Sequence, residues 1–362
     1  MVRAAHRLCL VLALVMLTGN IPCHASAPAV SAASYVLMDA ESGRVLLAGN
    51  ETEEKPIAST TKIMTALLAL RSSRLTDTVS VKREHLREGS SMYLAPGETL
   101  TMEALLYGLM LPSGNDAAEC IADYCGPGTE RFVERMNDAA AALGMTHTAF
   151  QNPSGLDAAG HYSCALDMAR LMVAAMREPA FAQIVSARTA TVGERTMTNH
   201  NKLLGAMPDC IGGKTGYTGG AGRTLVTCAE RDGLRLIAVT LRDGNDWADH
   251  RLLYEYGFST YHPETVLKRG AVCAMAAVRG GAASCVPLRA ETGVTVPLAE
   301  GETAELRCEL PEAVNAPVAA GERVGEAAVL VNGTEIARVA LLSAQRVDPA
   351  EYKAPPFWRW RR

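Results

Sequence analysis

The sequence predicts an α/β fold of the α+β kind: an antiparallel sheet covered by helices, followed by a small all-β domain. Three observations carry this. Strand-like runs come first, then a helical middle, then strands and a last helix, which is not a regular βαβ alternation. After about His262 the composition shifts to short Val-rich runs with many Gly and Pro and no helical periodicity. And 362 residues exceed what one core usually organises, so two domains are expected.

The chain opens with a targeting pattern. Arg3 and Arg7 precede an apolar run from Leu8 to Leu17, and Ala25 and Ala27 offer cleavage positions. The run is short for a bilayer span, so residues 1–27 read as a secretory signal and the protein as exported to the cell envelope. "SYVLMDAESGRVLLAGN", from Ser34 to Asn50, alternates as two strands around a turn. "IASTTKIMTALLAL" is a helix from Ser59 to about Leu70, apolar on nearly all sides and therefore buried. A short strand is expected at "TVSVKREHL", then two helices broken at "PSGN", where Pro112 and Gly114 enforce the break. A helix over 130–145 closes at Gly144, "NPSGLDAAGHYS" is a loop, and "CALDMARLMVAAMRE" is a further helix. Two β-branched-rich strands joined at "ERDG" read as an antiparallel hairpin with "GGKTGYT" at the start of the strand, and "WADHRLLYEYGFSTY" is the final helix. The expected boundaries are 28–261 for the first domain, 262–350 for a β-sandwich-like second domain and 351–362 for a basic aromatic tail.

Hydrophobic residues make up 48% of the chain and charged ones 20%, which supplies a sizeable core. The net charge of −4 and the lack of a basic stripe argue against nucleic-acid binding. Eight cysteines follow the leader, without CxxC or zinc spacing. They read mainly as buried thiols, with Cys120–Cys125 and Cys273–Cys285 as the pairs to inspect. The eight histidines are scattered with no HExxH, so no metal or other cofactor is expected.

The chemistry starts at one lysine. Helical neighbours three apart share a face, so Ser59 and Lys62 meet. Ser59 stands at the helix start, where free N–H groups favour developing negative charge. A desolvated lysine loses basicity and can take a proton from a hydroxyl. On the tetrapeptide alone, a capping serine beside a snorkelling lysine is the commoner explanation. Two further stretches change the balance. "LPSGND" sets Ser113 and Asn115 in a forced turn, and "GGKTGYT" sets Lys214, Thr215, Gly216 and Tyr217 on a strand. A phosphate loop is excluded for the latter, because Pro208 stands where the first glycine is needed. The chain has seven lysines against twenty-eight arginines, yet both motif positions are lysine. Arginine could not serve at Lys62, since it does not deprotonate.

In this order the S-x-x-K, S-x-N and K-T-G stretches resemble those of penicillin-binding enzymes and serine β-lactamases. From Ser34 to Tyr261 the sequence is similar to the D-alanyl-D-alanine carboxypeptidases among the low-molecular-weight penicillin-binding proteins, the DacF or penicillin-binding-protein-5 type. "GSSMYLAPGETLTMEALLYGLMLPSGNDAA", "MNDAAAALGMTHTAFQNPSGLDAAGHYSCALDMARL" and "NHNKLL" read like segments of that family. The resemblance implies a β-lactamase-like peptidase domain with a small β domain behind it. It implies Ser59 as nucleophile, Lys62 as general base and Ser113 as proton relay to the leaving D-alanine. Asn115 would hold the substrate amide, and Lys214 and Thr215 the carboxylate. The N–H groups of Ser59 and Tyr217 would form the oxyanion hole, with Gly216 between them and the lysine. The partners it implies are a peptidoglycan stem peptide ending in D-Ala-D-Ala and β-lactams as covalent inhibitors. The family often adds an arginine for the terminal carboxylate, and Arg223 and Arg242 are the candidates.

Three other activities compete. A class A β-lactamase needs a glutamate on the loop at "NPSGLDAAGHYS", which offers only Asp157, so slow acylation by penicillin is expected instead of fast turnover. A DD-endopeptidase would use the same residues. A non-catalytic peptidoglycan-binding or penicillin-binding scaffold is disfavoured by the intact Ser59, Lys62, Ser113 and Lys214. The tail "PPFWRWRR" offers peripheral membrane contact, with a frayed terminus as the alternative.

Overall fold

The structure is a computed structural model that describes residues 26–351. The leader up to Ala25 and the tail from Tyr352 onward, with the membrane contact expected of it, lie outside the described residues.

Five antiparallel strands form the first sheet, in the order β2-β1-β9-β8-β7. They are β1 (Ser34–Asp39), β2 (Val45–Gly49), β7 (Cys210–Thr218), β8 (Gly222–Arg231) and β9 (Leu234–Leu241). Two small antiparallel pairs lie outside it: β3 (Thr78–Ser80) with β4 (Thr99–Thr101), joined by a long connection, and the tight hairpin β5 (Thr189–Val192) with β6 (Arg195–Thr198). The helices are α1 (Lys62–Ser72), α2 (Met102–Met110), α3 (Asn115–Cys125), α4 (Thr129–Ala142), α5 (Ala165–Met176), α6 (Pro179–Ser186), α7 (Leu203–Ala206) and α8 (Asp246–Thr260).

The two-residue period of the strands divides the core into layers. Val36, Met38, Ile237 and Val239 face the bundle of α1, α2, α3 and α5. Leu37, Leu225, Leu236 and Ala238 face the other way, against Leu253 and Tyr254 of α8. Helix α1 lies inside this arrangement: every residue from Lys62 to Ala69 is buried. Burying its four apolar side chains longer than alanine in this stretch, Ile63, Met64, Leu67 and Leu68, stabilises the fold by roughly 1.5–3 kcal/mol each.

Helix α8 runs directly into the second half of the chain. This is all β: β10 (Tyr261–Leu267), β11 (Val272–Arg279), β12 (Cys285–Ala290), β13 (Val294–Ala299), β14 (Ala304–Glu309), β15 (Val314–Asn315), β16 (Arg323–Val331) and β17 (Thr334–Ser343). Six strands form one sheet in the order β14-β16-β17-β12-β11-β15, and β10 pairs with β13. Their inward residues, among them Val286, Leu288, Val296, Val329 and Leu341, make a separate core. The two halves meet where Arg44, in the β1–β2 turn, donates to Glu302 Oε2 at 2.8 Å and to the Pro297 carbonyl, with Tyr261 5.6 Å beneath its guanidinium.

Several sequence expectations need correction. "CIGGKTGYT" is a full strand, so β7, β8 and β9 are three strands rather than a two-strand hairpin, and Lys214 stands mid-strand. Glycine-rich composition hides this strand because propensity scales reward side-chain packing that glycines lack. The β5–β6 hairpin and α6 are further elements that the sequence pattern does not mark. Ser59 stands on a 3-10 turn, Ala58–Thr61, that leads into α1. The cysteines after the leader are free thiols, as expected, Cys120 and Cys125 lying on one helix, but Cys273 and Cys308 are only half-buried and Cys285 is exposed.

Candidate active site

Ser59 owes its position to strain on one side and close approach on the other. Ala58 before it has φ +48°, a left-handed conformation that costs an alanine of order 1 kcal/mol or more. Gly155 is pressed against the Ala58 carbonyl so tightly that a Cβ there would overlap it. Thr224 Oγ1 on β8 donates to the Ile57 carbonyl at 3.0 Å and ties the turn to the sheet. On the other side, a Cβ at Gly216 would come 3.0 Å from Ser59 N and overlap Thr224 Oγ1. Glycine therefore lets the edge strand β7 lie against the serine.

Lys62 is completely buried. Its Nζ is 2.9 Å from Ser59 Oγ, 2.8 Å from Asn115 Oδ1 and 2.6 Å from the Ser154 carbonyl. Two of these partners are carbonyl oxygens and can only accept. A neutral amine has two N–H groups and one lone pair, so both N–H groups go to Asn115 and Ser154 and the lone pair meets the Ser59 hydroxyl. Asn115 is itself oriented, because its Nδ2 donates to the Glu88 carbonyl at 2.7 Å, which leaves Oδ1 for the lysine. Burial holds the Lys62 amine well below its ordinary basicity, and the Lys214 charge adds to this, against smaller pulls from Asp116 and Glu119.

Ser113 has φ +67° in the turn between α2 and α3, is buried, and its Oγ has no hydrogen-bond partner. Lys214, also buried, donates from Nζ to the Thr215 carbonyl at 3.0 Å, and burial brings its pKa down to about 7. Ser59, Ser113, Thr215, Gly216 and Tyr217 line a groove of about 560 Å³, whereas Lys62, Asn115 and Lys214 stand behind its wall. All eight expected residues are thus gathered at one place.

The groove also has members the sequence reading did not single out. Ser90 lines it, on a segment bound to Asn115 N through its carbonyl at 2.7 Å. Buried Asp116 holds the same segment by accepting from Met92 N and Leu94 N, each at 3.1 Å. His200 lines the groove, and burial together with Lys214 lowers its pKa. Asp246 and Trp247, at the start of α8, lie beside Arg223. "GSSMYL" and "NHNKLL" were legible as segments, but nothing in their spacing marked Ser90 or His200 individually. Of the two candidate arginines, Arg223 lines the groove and Arg242 does not. Asp246 accepts from Arg223 Nη2 at 2.7 and 2.8 Å and from Nε at 3.1 Å, and Trp247 lies 5.5 Å from its guanidinium.

Asp157, the acid of the 152–163 loop, accepts from Thr218 Oγ1 at 2.7 Å and Gly220 N at 3.2 Å, latching this loop to the end of β7. Among the described residues, no group of three or more acidic, His or Cys side chains is placed to hold a metal ion.

A serine and a desolvated lysine between a sheet edge and a helical bundle make an arrangement suited to acyl transfer through a serine ester. Comparison with known proteins gives this class its family. Residues 22–245 match the D-alanyl-D-alanine carboxypeptidase family, peptidase S11, and residues 261–349 match the penicillin-binding protein 5 C-terminal domain. The chain is 35% identical over 343 residues to D-alanyl-D-alanine carboxypeptidase DacC of Escherichia coli, covering 89% of this chain and 86% of the relative. To DacF of Bacillus subtilis it is 29% identical, covering 89% and 87%. The crystal structure of penicillin binding protein 5 from Haemophilus influenzae superposes with a TM-score of 0.79 at 29% identity, covering 89% of this chain and 98% of that one. The chain belongs to the S11 family of D-alanyl-D-alanine carboxypeptidases, and it is a serine-type carboxypeptidase of the penicillin-binding class. Peptidoglycan peptides ending in D-Ala-D-Ala are its substrate class and β-lactams its ligands.

Proposed function

We propose that Ser59 Oγ attacks the carbonyl carbon between the two terminal D-alanines while Lys62 Nζ takes its proton. One observation carries this: Lys62 Nζ lies 2.8 Å from Asn115 Oδ1, 2.6 Å from the Ser154 carbonyl and 2.9 Å from Ser59 Oγ, so a neutral amine that donates to the two carbonyls keeps its lone pair for the hydroxyl. The N–H groups of Ser59 and Tyr217 receive the oxyanion, and each such donor lowers a barrier by about 3–4 kcal/mol where it acts. Ser113, partnerless in the free enzyme, passes a proton to the departing amine. Lys214, Thr215 and Arg223 receive the terminal carboxylate, and Asn115 serves both the substrate amide and Lys62. Water then releases the acyl group from Ser59.

D-alanine release from a pentapeptide tests these roles. Ser59→Ala should lose the penicillin adduct in an intact-mass measurement and all turnover. Lys62→Arg should keep the fold and lose activity by at least about 10³-fold, since a guanidinium supplies no base. A Lys62→Arg enzyme with near-normal acylation would remove Lys62 from the mechanism.

The β-lactamase alternative lacks support, because the Asp157 carboxylate is occupied by Thr218 and Gly220. The division into peptidase and β domains is proposed at Tyr261, where α8 passes into β10. Export rests on the leader pattern. Among the described residues no helix is long and apolar enough to cross a membrane. Peripheral contact through the aromatic-cationic tail is proposed from composition alone, and fractionation of cells expressing a chain truncated at 353 tests it.

A further inference from the structure

Two thiols of the second half meet although their strands do not pair. Cys308 on β14 and Cys273 on β11 are separated in the sheet order by β16, β17 and β12. The sheet curls enough to bring them together: Cys308 Sγ lies 3.9 Å from the carbonyl of Cys273. Among the described residues no backbone hydrogen bond joins β14 to β11, whose outer edge carries only the two-residue β15 at Val278 and Arg279, so near Cys273 the two strands meet through side chains.

Local geometry explains why Cys273 faces inward. The β11–β12 register slips between Val272 and Ala274, which makes Cys273 the extra residue of a bulge. Bulges re-aim a side chain. Here the thiol points toward the core rim, where both cysteines pack against the apolar cluster around Val286 and Leu288. Both are half-buried, whereas Cys120, Cys125, Cys164, Cys210 and Cys228 are buried and Cys285 is exposed and separate. Burial and the Cys308 thiol, with which it shares a hydrogen bond, push the Cys273 thiol above its ordinary range. Oxidation there is therefore slow unless a good thiol-disulfide exchange partner is present.

We propose that Cys273 and Cys308 are a disulfide-forming pair that closes the β14 edge of the C-terminal sheet onto β11. The oxidant is a small dialkyl disulfide such as glutathione disulfide, or a protein disulfide of the same class. One thiolate attacks it and displaces one thiol, giving a mixed disulfide. The second cysteine then displaces the other thiol, and the Sγ–Sγ bond forms. The two cysteines lose two electrons and two protons, and the oxidant gains them as two thiols. Peptidoglycan lies outside the cytoplasm, where such bonds persist.

The test uses the full chain carrying Cys285→Ser, incubated with excess glutathione disulfide, alkylated and digested with trypsin. The expected product is a linked pair of peptides, 270–279 with 308–323, that separates on reduction. The link joins residues about 35 apart, so oxidation should raise the melting temperature of the C-terminal transition by roughly 10 °C, reversibly. Cys308→Ser should abolish both the link and the shift. Penicillin acylation at Ser59 should not change in any sample. Two alkylated peptides with no link under excess oxidant would overturn the proposal. So would separate glutathione adducts on Cys273 and Cys308 that never resolve, or a link that joins either cysteine to a different partner.

Discussion

Lys214 lowers the basicity of Lys62. Both side chains are fully buried behind the wall of one groove, and the charge of the strand lysine adds to the desolvation that already disfavours an ammonium on the helix. The proposed mechanism needs the two amines in opposite states. Lys62 must be neutral to take a proton from Ser59, while Lys214 must be charged to attract a carboxylate. A cation next to a buried amine serves both needs, because charging one discourages charging the other.

A pH profile follows. As pH rises, kcat/KM should first climb as Lys62 loses its proton, well below the ordinary lysine range. It should then fall as Lys214 loses its own, near about pH 7 in the free enzyme. Bound substrate adds a carboxylate beside Lys214 and favours its charged form, so the alkaline limb of kcat should lie higher than that of kcat/KM. D-alanine release across pH 5–10 checks both limbs. An alkaline limb in the same place in both profiles would count against carboxylate contact at Lys214.

Replacing Lys214 separates its two effects. Lys214→Met keeps an apolar stem and removes the charge. The lowering of Lys62 by that charge disappears, so the acid limb of Ser59 acylation should move to higher pH. Measuring acylation with a penicillin at several pH values reads this shift even when peptide affinity is lost. An acid limb that stays in place would mean desolvation alone sets the Lys62 state.

Gly155 tests how the serine turn is supported. It has φ +83°, and a Cβ there would overlap the Ala58 carbonyl, whereas Gly160 on the same loop has φ +78° with nothing closer than 3.4 Å. Gly160→Ala should cost only the backbone term, about 1 kcal/mol. Gly155→Ala adds a steric term of about 1–3 kcal/mol and displaces the residue before the nucleophile. Its melting temperature should fall further, and its acylation rate should drop by at least about tenfold while that of Gly160→Ala stays near normal.

One arginine makes several of the contacts between the two halves, beside the Tyr261 hydroxyl on the Leu46 carbonyl. Glu302 is held below its ordinary pKa chiefly by Arg44, with some opposition from burial. A depressed folded pKa contributes stability above the unfolded value, and this is lost as pH falls through the folded one. Arg44→Ala removes a charge-assisted bond in a pair only 13% and 18% exposed, at a cost of about 2 kcal/mol near pH 7. Calorimetry should show the mutant and wild-type melting temperatures converging as pH drops below about 4. A constant gap would assign the loss to the stacking of Arg44 on Tyr261 instead.

What the sequence revealed and what it withheld have physical reasons. Ser59 and Lys62 were legible because a three-residue spacing on a helix is a distance, and an apolar run declares burial. The sandwich of helices around β1, β8 and β9 was legible from alternation. Strand β7 is hard to see in the sequence, because Gly212, Gly213 and Gly216 carry no alternating pattern: a Cβ would overlap Val185 at Gly212 and β8 at Gly213, and only Gly216 lies against the serine turn. Ser154 was invisible for a different reason. It meets Lys62 through its backbone carbonyl, which every residue has. That Cys273 neighbours Cys308 is not legible in the sequence, because strand order and a bulge at Cys273 set it, and neither is a matter of sequence spacing.

Arg223 carries the last prediction, and it concerns discrimination. Its guanidinium is fixed on two sides, by the buried carboxylate of Asp246 and by the Trp247 ring, and it lines the groove with Ser59, Ser113 and Thr215. Asp246 takes Nε and Nη2, which leaves Nη1 for an incoming anion. Losing a bond between charged groups costs about 1.5–3 kcal/mol, or roughly 10- to 150-fold. Arg223→Gln should therefore lower kcat/KM for a peptide ending in free D-alanine by a factor in this range. It should barely change kcat/KM for the same peptide ending in D-alaninamide, which offers no carboxylate. Asp246→Asn leaves the arginine charged but releases it, so it should raise KM more than it lowers kcat. If Arg223→Gln slows acid and amide substrates equally, the arginine supports the groove wall and reads nothing.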